Sequence, residues 1–361
     1  MERAIKKIAV LPGDGIGPEI IEQAIKVAKA IEPKLSCALQ FDYAEIGACA
    51  IRSCGEPYPD STDRVCKEAD AILFGAVGDP EFDNNPSAKV RPEQGLLKMR
   101  KSLGLFANIR PLKPYEELLD ASPLKREVIS GTDMVIIREL TGGIYFGEPR
   151  GRTEDGRKAF DSCIYSVEEI ERIARIAFEY ASRRRKKLTL VDKANVLATS
   201  RLWREVVTRI GKSDYPNVEL DFMFVDNAAM KLVMAPAQLD VVLTENMFGD
   251  ILSDMGGAIG GSIGLMPSAS AGSRYALYEP IHGSFPQAKG KNIANPVATI
   301  LSLAMLFEDS LGEPEAAKAI REACALSIKE RICTPDILPG SSCGTSQVGD
   351  FIASTALSIL G

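Results

Sequence analysis

Apolar runs of strand length alternate with helical periodicities along the first part of the chain, and this alternation restricts the fold more than any other feature. Residues 5–11 and 71–76 have the short, apolar character of buried strands, whereas residues 19–31 and 60–69 repeat apolar side chains with a helical period. Strands separated by helices form parallel sheets covered by helices. The sequence therefore predicts an α/β fold, and 361 residues are enough for two domains.

The middle of the chain has a different pattern. From residue 128 to 166, short strands separated by Thr-Gly-Gly, Phe-Gly and Gly-Arg turns predict an antiparallel meander, which begins a second domain or an arm. Ser166 and Glu169 form a predicted capping box, and the basic run 183–187 is predicted to end the helix that follows. Further strands, each followed by a helix opening on a polar residue, are predicted at 188–192, 220–225 and 241–244.

Composition excludes several classes of function. The single histidine, His282, rules out zinc sites built from several histidines and any scheme with one histidine as base and another as acid. The net charge of −6 has the wrong sign for a nucleic-acid binder. No stretch has the length and apolarity of a membrane span or a signal peptide. The eight cysteines lack a Cys-x-x-Cys pair, so we expect free thiols in the cytoplasm.

Acidic residues on one predicted helix form the clearest chemical signal. Asp250 and Asp254 lie four residues apart beside apolar Met247 and Ile251, so something positive is expected between the two carboxylates. Oxygen ligands without histidine or cysteine suit Mg²⁺ or Mn²⁺, although two solvated surface aspartates give the same pattern. Asp226, after an apolar strand, is either a third ligand or an N-cap.

Basic and phenolic side chains supply the complementary chemistry. Lys193 and Asn195 follow the strand at 188–192, where α/β sheets bind ligands, and Lys193 is either a base or a surface lysine. Three arginines together with a divalent cation suggest a polycarboxylate substrate, since arginine binds carboxylates in a bidentate manner; they are Arg100, Arg110 and Arg138. Tyr145 is either a proton donor or a hairpin aromatic.

Two glycine-rich segments compete as a nucleotide site. Residues 11–18, Leu-Pro-Gly-Asp-Gly-Ile-Gly-Pro, follow a strand and precede a helix, but their glycine spacing is not Gly-x-Gly-x-x-Gly. Residues 278–287 form a polar loop that leads towards a helix N-terminus and contains His282. That histidine is either a contact of adenine or a helix-capping or core residue.

Nine segments in order resemble the β-decarboxylating dehydrogenases, the isocitrate/isopropylmalate dehydrogenase family. They are LPGDGIGPE, GLLKMRKSLGLFANIRP, RELTGGIYFGEPRG, VDKANVL, VDNAAM, TENMFGDILSDMGG, GLMPSAS, YEPIHGS and IANPVATILS. The resemblance implies a two-domain isopropylmalate dehydrogenase-like fold with a mixed central sheet, not a Rossmann domain. It also implies a cofactor-binding domain of residues 1–105 plus 262–361. The other domain, residues 106–261, would hold the metal, the catalytic residues and the dimer contact, with a β arm at about 128–166.

The resemblance also assigns roles to the residues above. It implies that Arg100, Arg110 and Arg138 bind the malate carboxylates, and that Asp226, Asp250 and Asp254 hold Mg²⁺ or Mn²⁺. Lys193 matches the base for the 2-hydroxyl, and Tyr145 matches the acid that protonates the product enol. The active sites of the implied homodimer are shared, with Lys193 and Asp226 reaching each site from the other subunit.

For the cofactor, the resemblance implies NAD. The implied contacts are Ile16, Gly78, Glu93, Asn195, Glu279, His282, Gly283, Ser284, Phe285, Gln287 and Asn295. Gln287 stands where these enzymes usually place an aspartate that excludes the extra phosphate of NADP, so we expect an NAD preference that is looser than usual.

The substrate is inferred from the helix that starts near Glu93. Leu96 and Leu97 present methyl groups where isocitrate-specific relatives present a hydroxyl, which favours 3-isopropylmalate, and leucine biosynthesis, over isocitrate. The alternatives within the family are D-malate, tartrate, homoisocitrate and isocitrate. A non-redox nucleotide-binding or metal-binding module is the alternative from another class.

Overall fold

Two separate stretches of the chain combine into one folded unit. Residues 1–105 and 262–361 form unit 1, and residues 106–261 form unit 2. The structure is a computed structural model that describes residues 3–83 and 90–361. The sequence also predicts a loop rich in proline and glycine from residue 77 to 92, and residues 84–89 of that loop lie outside the described part of the chain.

Strands and helices alternate along much of the chain. The strands are β1 (Ile5–Gly13), β2 (Ala38–Tyr43), β3 (Ala71–Ala76), β4 (Ala107–Leu112), β5 (Met134–Glu139), β6 (Arg150–Arg152), β7 (Ala159–Asp161), β8 (Lys187–Asp192), β9 (Glu219–Phe224), β10 (Val241–Thr244), β11 (Pro267–Ala271) and β12 (Ala276–Pro280). The helices are α1 (Gly17–Ile31), α2 (Ala48–Cys54), α3 (Asp60–Glu68), α4 (Pro80–Asp83), α5 (Pro92–Leu103), α6 (Arg126–Ile129), α7 (Val167–Arg183), α8 (Ala198–Asp214), α9 (Val225–Met234), α10 (Asn246–Ile259), α11 (Val297–Leu306), α12 (Pro314–Lys329) and α13 (Thr345–Ile359).

Unit 1 is built on strands in the order β2-β1-β3-β12-β11. The first four are mutually parallel and β11 is antiparallel to β12, so the sheet is mixed. This order differs from that of a Rossmann domain, in which the strands are parallel. The predicted α/β class with a mixed sheet is confirmed.

Both faces of the central unit 1 strand β3 are buried, whereas the edge strand β2 is partly exposed. On one face, alternate residues of β1 and β3 join a cluster with Tyr58, Met99 and Leu103 from the region of α3 and α5. Helix α1 packs against β3, α11 and α13, and α11 lies on β11 and β12. Every residue of α11 is buried, which explains its apolar sequence, because a helix surrounded by protein needs no polar face.

Unit 2 has strands in the order β4-β5-β10-β8-β9. Strand β4 is antiparallel to β5, and the remaining strands are mutually parallel. The carboxyl ends of β5, β10, β8 and β9 therefore meet at one edge. Arg138, Lys193, Asp226 and Asn246 lie at or just beyond those ends, so strand direction alone brings these segments to the same side of the unit.

The predicted meander at 128–166 is wrong in most of its length. Strand β5 within it is fully buried and pairs with β4 and β10. Only β6 and β7 form a separate antiparallel ribbon, and all their residues are exposed. The glycine-rich turns were read as hairpin turns, whereas the apolar residues of β5 required burial on both faces, which a meander arm does not provide.

Two of the helices predicted to open on a polar residue, α8 and α9, instead begin after an apolar residue. The N-cap of α9 is Phe224, and Asp226 lies in the first turn without capping it. Helix α8 likewise begins after the apolar Leu197. The capping box of Ser166 and Glu169 is confirmed, because the Ser166 hydroxyl accepts the N–H of Glu169 and the Glu169 carboxylate accepts the N–H of Ser166.

The basic run at 183–187 extends beyond the helix that it was predicted to end. Helix α7 ends at Arg183, and Arg184 turns into unit 2, where its Nε lies 2.8 Å from Asp240 and its Nη2 2.7 Å from Asp133. Asp240 is 1% exposed and also accepts the backbone N–H of Arg185. The run therefore forms the connection between α7 and β8, and its ion pairs fix this connection to the segments that precede β5 and β10. A pattern typical of a helix end does not reveal these ion pairs.

All eight cysteines are unpaired, as predicted. Among the described residues, no helix is both long enough and apolar enough to cross a membrane.

We expect Asp240→Ala to lower the free energy of unfolding by about 2 kcal/mol, because it leaves the largely buried Arg184 without one of its two carboxylates. Urea denaturation measures the change. As a control, Glu219→Ala removes the exposed partner of Lys187 and should cost less than about 0.5 kcal/mol. Equal losses in the two variants would contradict the structural role of Asp240.

Candidate active site

Helix α10 places two aspartates on one side, and each of them meets an arginine. Arg138 of β5 forms an ion pair with Asp250, and Arg110 of β4 lies 3.3 Å from Asp254. The arginine side chains are buried, whereas that of Asp254 is 72% exposed. The positive charge expected beside the aspartate pair is therefore supplied by two arginines in this structure.

The buried arginines are held by neutral groups as well. Asn108 lies opposite Arg138 in the register of β4 and β5, and its side-chain oxygen accepts a hydrogen bond from Arg110 Nε. The Ser253 hydroxyl accepts a hydrogen bond from Arg110 Nη1. Asn246, the first residue of α10, accepts from the guanidinium of Arg138 on β5. The amide and hydroxyl partners satisfy hydrogen bonds without adding negative charge, so the arginines retain the ability to attract anions.

Tyr145 lies beside the first of these pairs. It ends the short 3₁₀ turn Gly143–Tyr145, its hydroxyl donates to Asp250 Oδ2 at 3.0 Å, and its ring faces the guanidinium of Arg138. Partial burial, followed by this hydrogen bond, raises the pKa of Tyr145 above its ordinary value. The phenol is therefore protonated at neutral pH, as a proton donor must be.

Lys193 and Asp226 form a second polar pair. They follow the adjacent parallel strands β8 and β9, and the ammonium Nζ lies 2.8 Å from Asp226 Oδ1. The hydrogen bond from Lys193 lowers the pKa of Asp226, which keeps that carboxylate ionised. Both side chains are partly or largely exposed, so the pair is open to a ligand or to another protein surface.

The described part of the chain contains no group of three His, Cys, Asp or Glu side chains close enough to hold a metal ion. Asp226 is thus not brought together with Asp250 and Asp254 within one chain. The donor set still fits a hard divalent cation, since these three side chains offer only carboxylate oxygens and Asp226 is held ionised.

In unit 1, the two glycine-rich segments that competed as the nucleotide site lie against each other. The backbone N–H of Ile16 donates to the carbonyl of Ser284 at 2.8 Å. A Cβ on Gly15, whose φ is +58°, would lie 2.0 Å from that carbonyl oxygen, so glycine is required there. The two segments therefore form one surface, so they are not alternative candidates for the nucleotide site.

Asp14 is a residue of this surface that the sequence analysis missed. Its buried carboxylate accepts backbone N–H groups of Ala48 at 2.8 Å, Cys49 at 3.0 Å and Gly78 at 3.1 Å. Burial raises its pKa despite these hydrogen bonds. The sequence signal that could have identified Asp14 is its position between two glycines shortly before helix α1. Asp14 ties the loops of Ile16 and Gly78, two predicted cofactor contacts, to the start of α2.

The loop around His282 has features that fit a nucleotide. The ring Nδ1 lies 3.0 Å from the carbonyl of Gly283, and Nε2 is buried without a hydrogen-bond partner among the described residues. Burial lowers the pKa of His282, so the ring is neutral and Nε2 can accept a hydrogen bond from a ligand. Phe285 is exposed with a φ of +37°, a strained backbone conformation typical of ligand-binding loops, and Gln287 is exposed beside it.

Four other predicted cofactor residues differ in how exposed they are. Asn295 is buried; its Nδ2 donates to Asp336, and its Oδ1 accepts the N–H of Val297, the first residue of α11. Asn195 is exposed after β8 in unit 2. Gly283 is exposed and Ser284 is buried in the loop described above.

Helix α5 contributes Arg100 and the residues predicted to select the substrate. Arg100 Nη2 lies 3.0 Å from Glu279, and Arg100 Nε is buried without a partner among the described residues, which fits a carboxylate ligand. Glu93 is exposed at the start of the helix. Leu97 is 45% exposed, whereas Leu96 packs partly against the unit 1 core.

Comparisons with known proteins place these features in one family. The family model of isocitrate/isopropylmalate dehydrogenase matches residues 7–352. The 3-isopropylmalate dehydrogenase of Bacteroides fragilis strain YCH46 is 56% identical over 96% of this chain and 97% of its own. That of Thermotoga maritima is 54% identical over 96% and 98%. The crystal structure of isocitrate dehydrogenase from Methylococcus capsulatus has a TM-score of 0.85 at 37% identity, covering 97% of this chain and 99% of that one.

We expect Lys193→Met to raise the pKa of Asp226, because the variant removes the hydrogen-bonded cation that lowers it. Titration of ¹³C-labelled aspartate carboxyls by NMR, with Asp226→Asn to assign the signal, measures the shift. Lys187→Met changes a lysine at the start of β8 that pairs with Glu219, and it should leave the Asp226 titration unchanged. An unchanged midpoint in Lys193→Met would show that the pair does not form in solution.

Proposed function

Because the chain belongs to the isocitrate/isopropylmalate dehydrogenase family, we propose that it is a 3-isopropylmalate dehydrogenase. It oxidises and decarboxylates (2R,3S)-3-isopropylmalate with NAD, forming 4-methyl-2-oxopentanoate and CO₂ in leucine biosynthesis. The observation that carries this function is the near full-length match to relatives that bear this name, which share more than half of their residues with the chain. The residues described above have the chemistry that the reaction needs.

The arginines bind the substrate carboxylates. Arg110 and Arg138 are buried beside α10, each next to one aspartate, and a carboxylate ligand complements a guanidinium. Arg100 has the same role in unit 1, where its buried Nε lacks a partner among the described residues. Arginine suits this role because it stays protonated at any physiological pH.

Lys193 and Tyr145 move the protons. Lys193, as the neutral amine, takes the proton of the substrate 2-hydroxyl and becomes an ammonium as C2 is oxidised, and Tyr145 donates a proton to C3 after CO₂ has left. The raised pKa of Tyr145 keeps that proton in place until negative charge develops nearby. His282, remote in sequence and neutral, takes no part in either transfer.

The two bound cofactors supply the remaining chemistry. Mg²⁺ or Mn²⁺, held by Asp226, Asp250 and Asp254, would lower the pKa of the substrate hydroxyl and stabilise the negative charge that develops on oxygen. NAD, held by the surface of unit 1 that includes Ile16 and His282, would accept the hydride from C2. Gln287 can hydrogen-bond the adenosine ribose but repels no phosphate, so selectivity against NADP is weaker than an aspartate would give.

Leu97 and Leu96 favour the alkyl substrate. Burying a branched alkyl group against such side chains contributes roughly 1.5 to 3 kcal/mol, whereas the two leucine side chains themselves offer no hydrogen-bond donor to the third carboxylate of isocitrate. The exposure of Leu97 leaves its methyl groups accessible to a ligand.

The enzyme is a homodimer with shared active sites. Support comes from exposed apolar residues on one helix of unit 2, Met230, Val233 and Met234 of α9, and from Ile251 of α10. A surface of this kind is typical of a protein interface. A second support is that Asp226 does not join Asp250 and Asp254 within a single chain, so the third carboxylate of a metal site comes from a partner subunit. The eight free thiols suit the reducing cytoplasm, where we place the enzyme.

With Mn²⁺ and NAD, we expect NADH formation to be fastest with 3-isopropylmalate and slower with D-malate and isocitrate. Initial rates at 340 nm across the three substrates measure this order. The double variant Leu96→Ser, Leu97→Ser should lose about tenfold in kcat/KM with 3-isopropylmalate but not with D-malate, which lacks the alkyl group. Faster turnover of isocitrate by the unmodified enzyme would contradict the substrate, and no NADH with any substrate would favour a non-redox binding module.

Mixed dimers test the shared site. Lys193→Met and Tyr145→Phe should each inactivate the homodimer, yet a purified hybrid of the two chains should recover about half of the parent activity, since one of its two sites is intact. Differently tagged chains, co-expressed and purified through both tags, supply the hybrid. A hybrid of Lys193→Met with Asp226→Asn is the control and should stay inactive, because both residues reach a site from the same subunit. An inactive first hybrid would place each site within one chain.

A further inference from the structure

We propose that Asn246 is a positioning residue for substrate binding, which orients Arg138 and anchors the turn of Tyr145 with one neutral side chain. This proposal rests on the proposed function, in which Arg138 binds a malate carboxylate and Tyr145 donates a proton. No role for Asn246 followed from the sequence analysis, because an asparagine at a helix start is commonly a cap.

The side chain of Asn246 does not cap its helix. It is the first residue of α10, it is 1% exposed, and the N-cap is Glu245, whose carboxylate accepts the N–H of Phe248. Asn246 Oδ1 instead accepts from Arg138 Nε at 3.2 Å and Nη2 at 2.8 Å. Its Nδ2 donates to the carbonyl of Gly142 at 3.1 Å.

These contacts connect the two functional residues. One edge of the Arg138 guanidinium rests on Asn246, while Nη1 pairs with Asp250, which also accepts from the Tyr145 hydroxyl. Gly142 immediately precedes the 3₁₀ turn that ends at Tyr145. Asn246 is itself held by the Tyr165 hydroxyl, which accepts its backbone N–H at 3.0 Å. A displacement of Asn246 would therefore disturb Arg138 and the Tyr145 turn together.

The first turn of α10 is shaped for this arginine. A Cβ on Gly249 would lie 2.6 Å from Arg138 Cγ, so the absence of a side chain lets Arg138 pass across the helix. Asn246 and Gly249 together fix the stem and the fork of Arg138.

Only a neutral amide meets both requirements at position 246. The amide offers an acceptor to Arg138 and a donor to the Gly142 carbonyl. A carboxylate would pair with the guanidinium and offset its charge, and it would present oxygen to the Gly142 carbonyl, so a substrate carboxylate would lose its binding partner. A leucine would fill the space but leave Arg138 and the carbonyl without these hydrogen bonds.

The test compares N246D and N246L with the unmodified enzyme. We expect both variants to lower kcat/KM for 3-isopropylmalate by about 10- to 100-fold, since each loses hydrogen bonds to a charged group. The KM for NAD should stay within about twofold, because the proposed function assigns Arg138 to the substrate and not to the cofactor. N246D should raise the KM for 3-isopropylmalate more than N246L does. N217D makes the same chemical change at an exposed residue before β9 and should behave like the parent.

A second measurement does not depend on turnover. In ¹⁵N-arginine-labelled protein, the Arg138 Nε–H signal, assigned with Arg138→Lys, should exchange slowly with solvent in the parent and quickly in N246L. Parent-like kcat/KM in N246D, or an unchanged Arg138 signal in N246L, would overturn the positioning role. If a variant lost affinity for NAD and for the substrate equally, the cause would be general misfolding, and this result would also contradict the positioning role of Asn246. Failure of the unmodified enzyme to turn over 3-isopropylmalate would contradict the proposed function alone, and the Arg138 signal would then decide the role of Asn246.

Discussion

The chemistry of unit 2 depends on keeping buried arginines charged beside the aspartates of α10. Taking a guanidinium out of water is costly unless its N–H groups are satisfied. Here the neutral side chains of Asn108 and Asn246 accept hydrogen bonds from Arg110 and Arg138, and Asp254 and Asp250 are the carboxylate partners of the same two arginines. The arginines are thereby held in place and still attract anions, which is the property that a site for a dicarboxylate requires.

A similar arrangement organises unit 1 with the charges reversed. The buried Asp14 carboxylate is surrounded by backbone N–H groups from two other loops, so peptide groups take the place of a cation. Backbone donors position a loop more firmly than a flexible lysine does, because they carry no side-chain entropy. The contact of Ile16 with Ser284 then joins the two glycine-rich segments. Rigid strands with short, tied loops give both units surfaces that are formed before a ligand arrives.

The sequence predicted most elements of the fold correctly, and its errors have a common cause. Strand β3 and helix α3 have periodicities that depend on neighbours along the chain; β3 was predicted at its observed bounds and α3 within one residue of them. Strand β5 and Arg184 were misread, since their partners, β10 and Asp240, lie about 50 to 100 residues away in sequence. The residue types of the site were evident from their motifs, but their contacts were not. Asn246 and Asp14 were missed because a single polar residue at a helix start or in a glycine turn has many local explanations.

The amino-acid sequence by itself determined the α/β class, the exclusion of sites that need several histidines and the set of charged residues from which a site could be made. These properties depend on residue type and on local periodicity, which are complete in the printed chain. Only the tertiary structure decided which charges meet: Arg138 with Asp250 and Asn246, and Lys193 with Asp226 rather than with the aspartates of α10. The physical reason is that electrostatic and hydrogen-bonding energies fall steeply with distance, and distances between remote segments are set by strand order and direction.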